Sequence, residues 1–121
     1  MKKIILMFYS VAFCLFLSCC GNGQSNSSVL RNDKIYFFYQ TNCIHCHHAA
    51  EYIEQKYPKL DIIKINIANK NGMEMLMKCA KKFKLGDRLG TPLFCMGNKH
   101  LMGWGDEYQR RFDFYVQSFI K

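Results

Sequence analysis

The chain has 121 residues, of which 50% are hydrophobic and 21% charged, and its formal net charge at pH 7 is +8. This length and composition predict one globular domain with a hydrophobic core, and they exclude a low-complexity or disordered protein. The positive charges are scattered, and the densest group has the spacing of an exposed helix face: Lys78, Lys81, Lys82 and Lys84.

The first 19 residues have the layout of an export signal, in which two lysines precede an apolar run and small residues. This layout predicts a signal peptide rather than a membrane-spanning helix. Its ending, FLSCC, resembles the site at which bacterial lipoproteins are cleaved and lipidated. We expect Cys19 to carry the lipid, with Cys20 as the alternative; an ordinary cleaved signal with incidental cysteines is the other interpretation.

Residues 20–33, with the sequence CGNGQSNSSVLRND, are rich in Gly, Asn and Ser and predict a flexible tether. The tether would connect the anchor to a folded domain, residues 34–121. We therefore expect a bacterial, extracytoplasmic lipoprotein that faces the periplasm, a compartment that permits disulfide bonds. No nucleic-acid partner is expected for such an exported protein.

Four strands are predicted from short apolar runs bounded by turn residues. Their sequences are KIYFFY (34–39), LDIIKINI (60–67), TPLFCM (91–96) and HLMGW (100–104). In the second, Ile63, Ile65 and Ile67 alternate with other residues, as on a buried strand face. Gly97-Asn98 predicts a hairpin between the last two strands.

Three helices are predicted from apolar residues three and four positions apart. The first helix presents Ala49, Ala50, Ile53 and Tyr57 and ends before Pro58; the second presents Met73, Leu76, Met77, Ala80 and Phe83, with Cys79 at the margin. The third begins near Asp106 and presents Phe112, Tyr115, Val116 and Phe119. The order β-α-β-α-β-β-α predicts an α/β fold whose mixed four-stranded sheet carries helices on both faces.

The stretch Cys43-Ile44-His45-Cys46-His47-His48 lies between the first predicted strand and the first predicted helix. Its residue types fit three chemistries: disulfide exchange, haem attachment through CxxCH with an axial His47, and metal binding by the cysteines and histidines. Haem is disfavoured because cytochromes of that type are mostly helical. A metal site lacks the usual second pair of ligands.

Residues 34–121 resemble a thioredoxin-superfamily domain in three places. CIHC lies at the strand–helix junction, FKLGDRLGTP is similar to the approach to that family's cis-proline, and GTPLFCMGNKHLMGW is similar to its hairpin. Gly-Thr-Pro most resembles the catalytic domains of bacterial periplasmic disulfide isomerases of the DsbC type. The histidine between the cysteines is similar to DsbA and protein disulfide isomerase. The resemblance implies a three-layer α/β/α sandwich in which a cis Pro92 faces the cysteines.

The sequence also departs from these relatives. Thioredoxin has proline before its second cysteine, where this chain has His45, and a buried acid where this chain has Phe37. The dimerisation domain of DsbC has no counterpart in this sequence, which counts against isomerase activity, and we expect a monomer; the direction of the reaction, as oxidase, reductase or isomerase, stays open.

The resemblance implies a thiol–disulfide oxidoreductase in which Cys43 is the nucleophile and Cys46 the buried resolving cysteine. A helix N-terminus at Cys43, with His45 beside it, would stabilise the thiolate and make the pair more oxidising than thioredoxin. Thr91 and Pro92 would bind the substrate. No metal or cofactor beyond the redox-active disulfide is implied, and the expected partners are protein thiols, protein disulfides and a membrane redox partner.

Three further features leave alternatives open. Cys79 and Cys95 would pair in an oxidising compartment, but the interpretation preferred here is that each fills an apolar position unpaired. Trp104 is either a contact at the rim of the site or part of the core. His48 and His100 are expected at the surface or partly packed.

Overall fold

A computed structural model describes residues 29–120. Its elements are β1 (Ile35–Tyr39), α1 (Ile44–Lys56), β2 (Ile62–Asn66), α2 (Lys70–Lys82), β3 (Leu93–Met96), β4 (Lys99–Met102) and α3 (Asp106–Tyr115), which continues into a 3₁₀ turn (Val116–Phe119). The predicted signal peptide, both candidate lipidation cysteines and tether residues 20–28 lie outside the described residues. Within residues 29–120, no helix combines the length and apolar character that a membrane span requires.

The four strands form one mixed sheet in the order β2-β1-β3-β4. β1 runs parallel to β2 and antiparallel to β3, and β3 pairs antiparallel with β4 across the predicted hairpin. The predicted element order and mixed sheet are confirmed. β2 is an edge strand, and for this reason Ile63, predicted on a buried face, is 36% exposed.

Successive residues of β1 point to opposite faces of the sheet and begin two separate cores. Ile35 and Phe37 belong to the core under α1 and α3, whereas Tyr36 and Phe38 belong to the core under α2. Trp104 lies in the first core, so it is a packing residue and not a rim contact. The two cores place helices on both faces and leave the ends of the central strands free to carry a site.

The predicted buried face of α2 is confirmed at Leu76 and Ala80 but was wrong at Met73 and Met77. Met73 and Met77 are 42% and 50% exposed, whereas Met75 and Cys79 are buried. The face that α2 turns toward the sheet is set by Gly72. A Cβ at this residue would lie 2.0 Å from the carbonyl oxygen of Asn66 at the end of β2. The helix can approach the strand so closely only by turning Gly72 inward, which carries Cys79 to the middle of the interface.

Candidate active site

Cys43 lies at the N-terminus of α1, immediately after the turn that follows β1. Its backbone is extended and its amide donates to the Gln40 carbonyl oxygen at 3.2 Å, which closes the turn. As the N-cap residue it directs its side chain at the first helical turn, and its Sγ accepts a hydrogen bond from the Cys46 amide at 3.2 Å. The Cys46 amide, which has no partner within the helix, and the positive end of the helix dipole therefore both face this sulfur.

Cys43 and Cys46 form a disulfide, with their Cα atoms 5.2 Å apart. The two sulfurs differ in access, since Cys46 is 3% exposed and packs in the first core, whereas Cys43 is half-buried. An external thiol or disulfide can therefore reach Cys43 but not Cys46.

Thr91 lies beside this disulfide, although it is distant in sequence, and the side chain of Pro92, which follows it, is fully buried. The Thr91 carbonyl oxygen is 3.5 Å from Cys43 Sγ, and the Thr91–Pro92 peptide bond is cis. The Pro92 carbonyl oxygen accepts from the Gly103 amide at 2.9 Å, which attaches the segment to the end of β4. The structure thus brings four of the predicted site residues together.

The histidines near the cysteines have different environments. His45 is exposed on the first turn of α1, and within residues 29–120 no hydrogen bond joins its ring to Cys43. His47 Nε2 is 2.8 Å from the Thr41 carbonyl oxygen and so braces the loop before Cys43, a role that the sequence analysis missed. Any influence of His45 on the sulfur must act through space.

Haem attachment, the alternative interpretation of CxxCH, would first require the disulfide to be reduced and the His47 ring to leave its present contact. That chemistry needs both cysteine sulfurs as thioethers and the His47 ring for the iron, whereas the sulfurs are bonded to each other and the ring faces the Thr41 carbonyl oxygen. In the described part of the chain, no three His, Cys, Asp or Glu side chains are grouped in a way that could hold a metal ion.

A second disulfide joins Cys79 of α2 to Cys95 of β3, whose Cα atoms are 6.4 Å apart. The interpretation that each cysteine fills an apolar position unpaired was therefore wrong. The sequence analysis placed Cys79 at the edge of the apolar face of α2, from which it would not reach β3. In the structure Cys79 is fully buried on the face that packs against the sheet. His48 is exposed and His100 packs on the Phe83 ring, as expected.

A carboxylate at Asp113 holds α1 against α3, a feature that the sequence analysis also missed. Its carboxylate oxygens accept hydrogen bonds from the Tyr52 and Tyr57 hydroxyls and form an ion pair with Lys56 Nζ, all at 2.6–2.7 Å. Burial alone would raise the pKa of Asp113, but the bonds from Lys56 and the two tyrosines outweigh it and hold this pKa below its ordinary value. The pKa of Tyr57 is raised to about 12, chiefly by burial and next by the hydrogen bond to Asp113.

Two solved structures resemble this chain, and both are glutaredoxins. Glutaredoxin (grx-1) from Archaeoglobus fulgidus aligns over 64% of this chain and 83% of its own, with 17% identity and a TM-score of 0.50. A buckwheat glutaredoxin in complex with glutathione aligns over 70% of this chain and 74% of its own, with 15% identity and a TM-score of 0.50. No protein-family model and no curated protein matches the chain.

These similarities show the fold, which is thioredoxin-like as the sequence predicted. They give no support to the finer resemblance to the DsbC and DsbA types, which rested on the Gly-Thr-Pro run and the histidine between the cysteines.

Proposed function

We propose that the protein is a thiol–disulfide oxidoreductase that acts on protein thiols and disulfides through Cys43 and Cys46. The observation that carries this proposal is the unequal environment of the two sulfurs. Cys43 is reachable and faces a helix N-terminus, whereas Cys46 is buried directly behind it. This is the arrangement that a nucleophile and a resolving thiol need.

In the reducing direction, the Cys43 thiolate attacks a substrate disulfide, forms a mixed disulfide and releases one substrate thiolate. Cys46 then attacks Cys43 Sγ, which releases the second substrate thiolate and forms the Cys43–Cys46 disulfide. Two electrons pass to the substrate, and the two protons of the dithiol accompany the released thiols. In the oxidising direction the same steps run in reverse.

The helix N-terminus matters because only the thiolate is nucleophilic. At a reference pKa near 8.5 about 3% of a thiol is ionised at pH 7, whereas at a pKa near 6 about 90% is ionised. Stabilising the thiolate favours the dithiol over the disulfide, so we expect a more oxidising pair than that of thioredoxin. His45 would add to this effect at a distance.

Substrate docking would use the surface around the exposed side of Cys43. The Ile44 side chain is 59% exposed, which is unusual for a large aliphatic residue and provides an apolar contact. The partly exposed Thr91, whose carbonyl oxygen is 3.5 Å from the sulfur, would position an extended substrate segment, and the buried, cis-bonded Pro92 would fix the backbone of Thr91 from behind. In this proposal the protein works as a monomer, anchored through lipid on Cys19 at the periplasmic side of a membrane, where a membrane redox partner regenerates it.

The test is a redox titration of the full chain in glutathione buffers, with Cys43 and Cys46 followed by alkylation. We expect one two-electron transition at a potential above about −270 mV, the value of thioredoxin. The Cys46→Ser variant should accumulate a mixed disulfide at Cys43, first with glutathione and then with a disulfide-bonded peptide. The proposal would be rejected if Cys43 formed no mixed disulfide in that variant, and a potential at or below that of thioredoxin would overturn the oxidising assignment alone.

A further inference from the structure

We propose that Cys79–Cys95 is a structural disulfide that stays oxidised while Cys43–Cys46 cycles, and that it holds the loop that delivers Thr91 to Cys43. The two cysteines belong to the core under α2, on the opposite face of the sheet from Cys46. Nothing in the proposed disulfide exchange uses them.

Burial separates this pair from the active-site pair. Cys79 is 0% and Cys95 is 4% exposed, so neither sulfur can be attacked in line by a thiolate from solution. Cys43, in contrast, is half-buried at the surface. The same reductant should therefore distinguish the two disulfides while the protein remains folded.

The bond closes a loop of the chain that contains the approach to the active site. The cysteines are 16 residues apart in sequence. The segment that they enclose contains the end of α2, the connecting residues 83–92 with Thr91 and Pro92, and the start of β3. Leu85 and Leu89 are partly buried against the core under α2, which places this loop on the same face as the disulfide. Fixing both ends of the segment limits how far Thr91 can move from Cys43.

Formation of the bond requires an oxidant, which we take to be a small-molecule or protein disulfide of the compartment. One thiolate of the pair attacks this external disulfide, forms a mixed disulfide and releases a thiolate. The second cysteine then displaces the other half, so that two protein thiols are oxidised and one external disulfide is reduced to two thiols. Since both cysteines are buried in the folded domain, this exchange precedes the packing of α2 on β3.

Three-stage alkylation of the full chain, folded in a glutathione buffer, tests the existence and shielding of the bond. One isotopic label is added to the native protein with dithiothreitol, a second in guanidinium after the reductant is removed, and a third after reduction in guanidinium. We expect the reachable Cys43, the internal control, to carry the first label and the buried Cys46, reduced with it, to carry the second, whereas Cys79 and Cys95 should carry only the third. The second label on Cys79 and Cys95 would show unbonded thiols, and the first label would show an unshielded bond; either result overturns the proposal.

Single and double alanine variants provide an independent test. Because either substitution opens the same bond, Cys79→Ala and Cys95→Ala should each lower Tm by about 10 °C or more, and the double variant should lie within a few degrees of the less stable single variant. Two cysteines that merely pack would give small shifts that add. Additive small shifts would overturn the proposal even if all three variants fold.

The positioning of Thr91 has its own readout, which rests on the proposed function. In the double variant the Thr91 carbonyl oxygen is no longer held close to Cys43, so it opposes the thiolate less strongly. At pH 7, the equilibrium of Cys43–Cys46 with glutathione should therefore shift at least twofold toward the dithiol. An unchanged equilibrium would overturn the positioning role. If the pair showed no exchange with glutathione at all, the proposed function would fail while the labelling result for Cys79 and Cys95 would stand.

Discussion

The sulfur of Cys43 lies 3.5 Å from the carbonyl oxygen of Thr91, a residue 48 positions later in the chain. The same sulfur accepts a hydrogen bond from the Cys46 amide at 3.2 Å. These neighbours act in opposite directions, because an N–H donor stabilises the thiolate whereas a carbonyl oxygen accepts from the protonated thiol. Their balance, added to the helix dipole, governs how reactive Cys43 is.

The first prediction concerns the ionisation of Cys43 in the Cys46→Ser variant, in which it is the lone thiol of the pair. Because one carbonyl opposes both an amide donor and the helix N-terminus, we expect its alkylation rate to show a midpoint below about pH 7.5. The measurement is the rate of iodoacetamide labelling as a function of pH. The same variant unfolded in guanidinium is the control, with an expected midpoint near 8.5; equal midpoints in the two states would contradict the prediction.

The second prediction separates through-space influence from contact at His45. This residue is exposed and has no hydrogen bond to Cys43 within residues 29–120, so replacing it removes only a through-space electrostatic influence that salt screens. We expect His45→Gln to shift the glutathione equilibrium about threefold toward the disulfide in dilute buffer and to have almost no effect in about 1 M salt. His48→Gln, an exposed histidine one turn away, is the matched control. A shift that persists in high salt would point to a direct contact instead.

The third prediction concerns the carboxylate that joins α1 to α3. Asp113 accepts three bonds from Tyr52, Lys56 and Tyr57 and its side chain is 26% exposed, so Asp113→Asn should lower the free energy of unfolding by about 2 kcal/mol. Asp61→Asn is the control, because the Asp61 side chain in its ion pair with Lys34 is 72% exposed, and it should cost less than about 0.5 kcal/mol. Urea unfolding at neutral pH compares the two variants, and equal costs would contradict the expectation.

The same cluster predicts a dependence of stability on pH. The pKa of Asp113 is lowered in the folded protein, so its contribution is present above the unfolded value near 3.9 and is lost as pH falls through the lower folded value. The pKa of Tyr57 is raised to about 12, so its contribution is complete below about pH 10 and is lost as pH rises toward 12. In Asp113→Asn both losses should shrink in unfolding curves recorded across this range.

The parts of the fold that the sequence predicted are those governed by local patterns. The strand before Cys43 and the apolar stripe after Cys46 mark the two sides of the strand–helix junction, and the resemblance to the thioredoxin superfamily implied that Cys43 lies at the helix N-terminus. Asp113 could not be predicted, since its partners lie 56–61 residues away and no local pattern relates them. The bond between Cys79 and Cys95 depends on the rotation of α2, and apolar spacing alone favoured Met73 and Met77 over the face that is buried.

The fifth prediction tests what determines which face of α2 is turned toward the sheet. A Cβ at Gly72 would lie 2.0 Å from the Asn66 carbonyl oxygen, a backbone atom that cannot move without displacing β2. Gly72→Ala should therefore separate α2 from the strand and cost about 3 kcal/mol of unfolding free energy. Gly90→Ala is the matched control, because a Cβ at that exposed glycine meets no atom within 4 Å and should change stability by less than about 0.5 kcal/mol. Since Cys79 lies on the same face of α2, Gly72→Ala should also slow formation of the Cys79–Cys95 bond during oxidative refolding. A variant that refolds and oxidises at the rate of the parent protein would show that Gly72 does not fix the helix.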